Sequence, residues 1–418
     1  MRENYKKLGP YIRQVNNRNK NLVTQDLRGL SMTKEFRKST SNIVGTDLTK
    51  YKLVNKNQFA CDFMSVIRVH KLPVVLHSEI EPVIVSPAYT VFEVIDKDIL
   101  NPEYLMMWFR RAEFDRYADF RCDSAIRGGF KWDELCETEL PIPSIEKQRA
   151  FVAEYNTVQN RIQLNEQLIQ KLEETAQTIY RRWFVEFEFP IDKELAIEMG
   201  DASLEGKPYR ASGGKMVWSE ELEKDVPVGW EINHLSDFVH LTKERIDIDQ
   251  ISINNYISTE NMLQDMKGVT TASSLPPAKT TTMFNQGDIL ISNIRPYFKK
   301  IWFAQYKGGC SNDILCLVLK DEEHSNYIFH SLANDVFFDY VMQGAKGTKM
   351  PRGDKDWIMN YLIVLPYSGL LKDFESISTN LRKQMNFYKS ENITFKDLSE
   401  IILSRMTKVE ETVEKTRL

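Results

Sequence analysis

Residues 144–187 contain neither proline nor glycine, and apolar side chains recur through them at alternating steps of four and three. The series is Phe151, Tyr155, Val158, Ile162, Ile169, Leu172, Ala176, Ile179 and Trp183, with Asn165 as the polar interruption. A seam of that period sustained over four or more heptads predicts a long helix packed on another helix, not an ordinary surface helix. Ser144 is placed to cap it, after Pro141 and Pro143 and ahead of Glu146 in the first turn. At 1.5 Å per residue, some 40 helical residues reach roughly 60 Å. A second seam near the other end runs through Leu381, Met385, Tyr388, Asn392, Phe395, Ser399, Ile402, Met406, Val409 and Val413, again with an asparagine inside it. A polar residue in an apolar seam costs stability but can fix register. Each helix could instead pack on its own globular neighbour. Their corresponding places in two halves of the chain favour pairing with each other.

A chain of 418 residues expects two or more domains. Its 42% hydrophobic and 27% charged residues are those of a folded soluble protein. No stretch approaches the 18 apolar residues of a membrane span, and the N-terminus lacks the apolar core of a signal peptide. Cys61, Cys122, Cys136, Cys310 and Cys316 form no CxxC pair and are odd in number, which reads as reduced thiols in a cytoplasm. A net charge of −4 argues against an indiscriminate polycation, while leaving room for local basic patches.

Residues 1–143 read as short strands at 22–26, 63–69, 82–86 and 89–95, then an aromatic amphipathic helix at 101–120 and a basic glycine-bearing turn at 126–132. The polar stretch from Pro190 to Gly229, with its glycines and prolines, reads as an exposed connector. Beyond it the first half is replayed. Residues 287–295 overlay 60–68, Cys310-Ser311 answers Val85-Ser86, and Tyr327-Ile328 answers Tyr104-Leu105. Residues 344–357 answer 123–132, and Leu365-Pro366 answers Leu140-Pro141. Shared order and offset imply a duplicated domain: globular domain, long helix, globular domain, long helix.

No enzyme site emerges. Gly344-Ala345-Lys346-Gly347-Thr348-Lys349 has the wrong spacing for a phosphate-holding P-loop, and no G-x-G-x-x-G opens a βα unit. Asn101-Pro102-Glu103-Tyr104 lacks the second proline of the amino-methyltransferase motif and fits better as a helix start. Asp321-Glu322-Glu323 reads as a solvated turn, and the six histidines show no metal-ligand pattern. Positive charge on turns stands out instead. Arg68, Lys71, Arg127 and Lys131 lie on turns of the first half, and Arg295, Lys299, Lys300, Lys346, Lys349 and Arg352 on the corresponding turns of the second. Lys and Arg supply phosphate contacts, and Arg at base edges supplies sequence choice. Basic turns are usually just solvated; their recurrence at equivalent turns of both copies raises the case for a nucleic-acid surface. Thr24-Gln25-Asp26 and Thr259-Glu260-Asn261 match each other and read as a possible second edge or as strand ends.

ELPIPSIEKQRAFVAEY (139–155), IYRRWFVEFEFP (179–190), DVPVGWEINHLSDF (225–238), QGDILISNIRP (286–296) and GTKMPRG (347–353), in this order and on this duplication, resemble the specificity subunit of type I restriction–modification systems. The resemblance covers essentially the whole chain, with Ala60-Cys61 departing from Gly287-Asp288 at one turn. It implies an α/β (α+β) fold in which two target-recognition domains are separated by two long antiparallel helices forming a coiled coil, with an internal pseudo-two-fold repeat. The expected layout is residues 1–143 for the first recognition domain, 144–189 for the first spacer, 190–224 for a linker, 225–368 for the second recognition domain and 369–418 for the second spacer. It further implies a non-catalytic, cytoplasmic chain that reads a split site on double-stranded DNA, with two methyltransferase subunits and translocase-nuclease subunits as partners. S-adenosylmethionine, ATP and Mg²⁺ would sit on those partners, with no cofactor on this chain. The rival readings are a coiled-coil scaffold without DNA, and a related restriction-methylation enzyme with its own catalysis.

Overall fold

The computed structural model describes residues 5–39, 45–123 and 130–408. The chain divides into two compact units, Met1–Gln167 with Lys389–Leu418, and Leu168–Tyr388.

In the first unit the central sheet is antiparallel throughout, in the order Ile12–Val15, Thr90–Val94, Gln58–Cys61, Val74–Leu76. Side chains alternate across it. Phe59, Cys61, Phe92 and Val94 face one core with the helices, while Ala60, Val75 and Val91 face a second, smaller core. All four residues of Gln58–Cys61 are buried because both faces of the strand are covered. The helix pair Pro102–Arg110 and Ala112–Asp123 caps the first face, with Phe109 edge-on to both Phe59 and Phe92. The other face receives the pair Lys52–Val54 and Val83–Val85, flanked by an antiparallel bridge of Arg18 to Lys52 and a parallel bridge of Leu27 to Ile84.

The second unit is built in the same order. Its central sheet runs Val239–Leu241, Ile314–Leu319, Ile289–Ser292, Ile301–Phe303, again all antiparallel. Ile289, Ile291, Leu315 and Leu317 face the helices, and Leu290, Ile314 and Cys316 face the second core. Arg245–Asp247, Thr280–Phe284, Gly308–Cys310 and Tyr256–Ile257 form the accompanying sheet, the last strand parallel to its neighbour. Helices Ser325–Leu332 and Asp335–Gln343 follow. In each unit an early strand then pairs with a late one just ahead of a long helix: Tyr5–Lys7 with Glu139–Pro141, and Glu231–His234 with Leu362–Leu365. In each, a buried tyrosine on the first helix of the pair donates to a carbonyl of that late strand, Tyr104 to Pro141 at 3.2 Å and Tyr327 to Val364.

The long helices are Ile145–Tyr180, continued by a π turn at Arg181–Val185, and Ser368–Arg405. Within the first unit their segments run in opposite directions. Glu154 meets Arg405, Gln159 meets Ser399, and Asn165 donates to Asn392 Oδ1 at 2.9 Å. Within the second unit Tyr180, Trp183 and Phe184 pack on Phe374. Tyr155, Val158, Ile162, Asn165, Ala176, Asn392, Ser399, Ile402 and Met406, all seam positions, are buried. Val409 and Val413 lie outside the described residues.

Four sequence expectations need correction. Residues 63–69 are not a strand: Asp62 accepts from the Met64 N–H and the chain turns into Phe63–Ser65 and the helix Val66–Val69. The capping carboxylate outweighs the β-branched run. Residues 22–26 form no strand either; Asn19 holds the Thr24 carbonyl in a loop. The helix expected at 101–120 is two, broken at Arg111, whose ψ of 137° is extended. The stretch 190–229 is folded, not an exposed connector. Ile191, Ala196 and Tyr209 are buried, Phe189 stacks on Tyr209 at 4.6 Å, and Met216–Ser219 pairs with Lys224–Pro227. Its glycines serve the wrap: a Cβ on Gly214 would lie 2.4 Å from the Tyr209 ring. Among the described residues, no helix is long and apolar enough to cross a membrane. Among the described residues the cysteines form no disulfide, and burial pushes the Cys310 thiol up to about 12.

Candidate nucleic-acid interface

In the second unit the chain leaves strand Ile289–Ser292 through Asn293 and Ile294 into Arg295, whose φ is +51°, and a short 3-10 turn, Pro296–Phe298. The glycine-bearing loop folds back onto this exit. Ile294 and Lys346 both bridge to Arg352, and the Arg295 N–H donates to the Pro351 carbonyl at 2.8 Å. Gly353 permits the approach, since a Cβ there would lie 2.7 Å from Asn293 Oδ1. Arg295, Lys346 and Arg352, far apart in sequence, therefore share one turn cluster, with exposed Lys349 at its tip.

The charges differ in what they face. Lys346 pairs with Asp354, which holds the lysine above and the carboxyl below their ordinary ranges. Arg352 pairs with Asp313 at 3.1 Å, and Lys299 with Asp335 at 2.7 Å. These three cations carry their own counter-charge. Lys300 instead donates to the Thr259 carbonyl at 2.6 Å and lies 5.6 Å from the Phe298 ring, with burial lowering its pKa. Arg295 is exposed, and among the described residues its side chain has no bonded partner.

The first unit is less well matched. Arg68 does not end a strand; it lies in the helix Val66–Val69 and donates to Ser65 at 3.1 Å. Lys71 follows His70, which has φ +54° and pairs with Asp119. Lys131 precedes the helix Trp132–Cys136, where Glu134 accepts from its backbone N–H. Arg127 lies outside the described residues. The two polar triplets are not equivalent: Asp26 precedes the residue in parallel pairing and Thr259 follows it. Asn261 is buried, bonding the Tyr256 and Thr270 carbonyls, so it holds a loop together and is no reading edge.

The local readings of Asn101, Asp321 and His330 hold. Asn101 caps its helix through the Glu103 and Tyr104 N–H groups. Asp321 caps the short turn Glu322–His324. Buried His330 lies against Tyr180, Phe329 and Phe374. Among the described residues no three His, Cys, Asp or Glu are grouped to hold a metal ion. Sequence reading missed a buried cation, Lys34, bonded to Asp115 at 2.7 Å and to the Phe109 carbonyl. It also missed the cations Arg18, Lys52 and Arg245 on the accompanying sheets; only strand pairing reveals their grouping.

Compared with known proteins, the chain matches no family model. It is 22% identical over 325 residues to the type I restriction enzyme MjaIX specificity subunit of Methanocaldococcus jannaschii, covering 75% of this chain and 70% of that one. It is 22% identical over 280 residues to the EcoDI specificity subunit of Escherichia coli, covering 63% of this chain and 59% of that one. The named relatives are thus type I restriction enzyme specificity subunits, and the chain is similar to them over most of its length. Solved type I specificity-subunit structures are also similar. That of M. genitalium shares 11% identity at a TM-score of 0.49, covering 96% of this chain and 95% of that one. That of Thermoanaerobacter tengcongensis shares 12% at 0.35, covering 98% of each. The turn cluster around Arg295 and Arg352 is the candidate basic surface that the described residues define best.

Proposed function

We propose that the chain is the sequence-specific DNA-binding subunit of a type I restriction–modification complex, itself without catalysis. The observation that carries the reading is the similarity to a named specificity subunit over 75% of the chain. The same succession of sheet, helix pair and late strand in both units supports a duplicated recognition domain, bounded as residues 1–143 and 225–368, with helical spacers at 144–189 and 369–418. The opposed helix segments and their Asn165–Asn392 bond support an antiparallel coiled coil with fixed register. Each recognition domain reads one half of a split duplex site. Arg295, Lys299, Lys300, Lys346, Lys349 and Arg352 serve one half, and Arg68, Lys71, Arg127 and Lys131 the other. The helices set the separation and offer surfaces to two methyltransferase subunits. Translocase-nuclease subunits join them in the cytoplasm, and S-adenosylmethionine, ATP and Mg²⁺ act on the partners.

The test is methylation-sensitive sequencing of DNA from cells with and without this chain. A bipartite motif should lose its methylation when the chain is removed. An unchanged methylome beside an intact partner complex sinks the reading, as does methyl transfer by the purified chain alone.

A further inference from the structure

The accompanying sheets carry cations whose surroundings differ from those of the turn cluster. In the first unit Arg18 and Lys52 stand opposite one another across an antiparallel bridge. Residues so paired project to the same face, with Cβ atoms about 4.5–5.5 Å apart. Arg18 Nη1 donates to the Lys50 carbonyl at 2.8 Å, and Lys52 Nζ to the Tyr89 carbonyl at 2.6 Å. Both tethers are neutral, and among the described residues no carboxylate bonds either side chain. The nearest acid in the sequence, Asp47, is taken by Thr49 and Lys50. Two like charges are thus fixed side by side, which is unfavourable unless something anionic joins them. Lys52 shows the strain: burial first, then the Arg18 charge, lowers its pKa.

The second unit repeats the arrangement. Lys52–Val54 pairs with Val83–Val85 as Thr280–Phe284 pairs with Gly308–Cys310. The Arg18-to-Lys52 bridge therefore corresponds to the pairing of Arg245 with Thr282. An arginine holds the same sheet edge in both units. Arg245 bonds the Thr280 carbonyl, the Thr280 and Thr282 hydroxyls and Asn312 Oδ1, all neutral acceptors, and among the described residues no carboxylate bonds it. Asn312 adjoins Asp313, the partner of Arg352, so this edge is continuous with the turn cluster.

We infer that Arg18 and Lys52 form a built phosphate-binding pair on the sheet edge of the first unit, and that Arg245 is its single-cation counterpart in the second. The ligand is a phosphodiester of the DNA backbone. This rests on the DNA-recognition reading above and extends it to residues outside the basic turns. Their tethers leave the cations little rotamer freedom to lose on binding, and they position the duplex instead of reading bases.

The test is equilibrium binding of a duplex carrying the motif to the full chain with its methyltransferase partners, over 50–300 mM salt. The variants are Arg18→Ala with Lys52→Gln, Arg245→Ala, and Lys50→Ala as a cation already paired with Asp47. Each lost phosphate contact should make the slope of log affinity on log salt shallower by about one, and should weaken binding alike for matched and mismatched sites. Lys50→Ala should keep the wild-type slope. Arg18→Lys, which keeps the charge, should retain most of the slope and so separates charge from folding. Wild-type slopes in the first two variants overturn the inference while leaving the function standing; no duplex binding by the wild type overturns the function itself. Calorimetry with inorganic phosphate distinguishes the source. A free-phosphate site abolished by Arg18→Ala, beside an unchanged DNA slope, overturns assignment to DNA.

Discussion

At Gly353 the second unit has no room for a side chain. A Cβ would lie 2.7 Å from Asn293 Oδ1, 2.9 Å from Ile358 Cδ1 and 3.1 Å from Val341 Cγ1. Gly353→Ala should cost about 1–3 kcal/mol, as overpacking does, and should loosen the return of the loop onto Arg295. Urea unfolding measures the first effect; lost discrimination at one half-site alone measures the second. His330 gives a pH signature. Its imidazole is pushed down to about 3 by burial and by the Arg382 guanidinium. An unfolded chain takes up that proton near 6.5. The contribution to stability is therefore intact above about pH 6.5 and is lost as pH falls from there towards 3. In His330→Phe the slope of stability against pH between 6 and 4 should be shallower by about 1.4 kcal/mol per unit. An unchanged slope would mean the ring is not held neutral.

Among the elements, the long helices were the most legible, because a seam at steps of four and three has no other regular use. Their polar interruptions were visible one by one, but only the structure shows that they meet: Asn165 donates to Asn392 and also to Glu391 at 2.8 Å. Either asparagine replaced alone by Leu should cost about 1–3 kcal/mol by stranding a buried amide. The double replacement should cost less than the sum, and a double-mutant cycle on thermal unfolding reads the coupling. Strands were harder. Residues 63–69 looked extended because Val66, Ile67 and Val69 are branched, but Asp62 decides locally for a helical turn. The folded stretch after Pro190 was hidden for a related reason. Its glycines wrap Tyr209 closely, a use of glycine that composition cannot tell from an exposed connector. The second-unit cations could be singled out by residue type alone; their counter-charges, Asp313, Asp335 and Asp354, could not, because those pairings are set by tertiary folding. Tyr104 and Tyr327 offer a test of equivalence at this scale. Replacing either with Phe removes one buried hydrogen bond in its own unit, and each loss should cost about 0.5–1.5 kcal/mol. Hydrogen exchange should localise each loss to one unit; a loss spread over both would argue against independent cores.

For the whole molecule, the ruler idea makes its own prediction. Deleting one heptad from both long helices, chosen to keep Asn165 opposite Asn392, should change the spacer of the recognised motif and leave both half-sites as they were. Methylome sequencing reads the new motif, and an active protein with an unchanged spacer defeats the idea. The division of the chain also bears on how it is made. The first unit is assembled from Met1–Gln167 and Lys389–Leu418, whereas the second is one continuous stretch. On a ribosome moving at about 5–20 residues per second, the second unit can close as soon as it emerges. The first must wait roughly ten to forty-five seconds for its last helix, with Tyr155, Val158 and Ile162 uncovered meanwhile. The half of the protein synthesised first is thus the half completed last, and a nascent chain stalled near residue 388 would present that bare seam to chaperones.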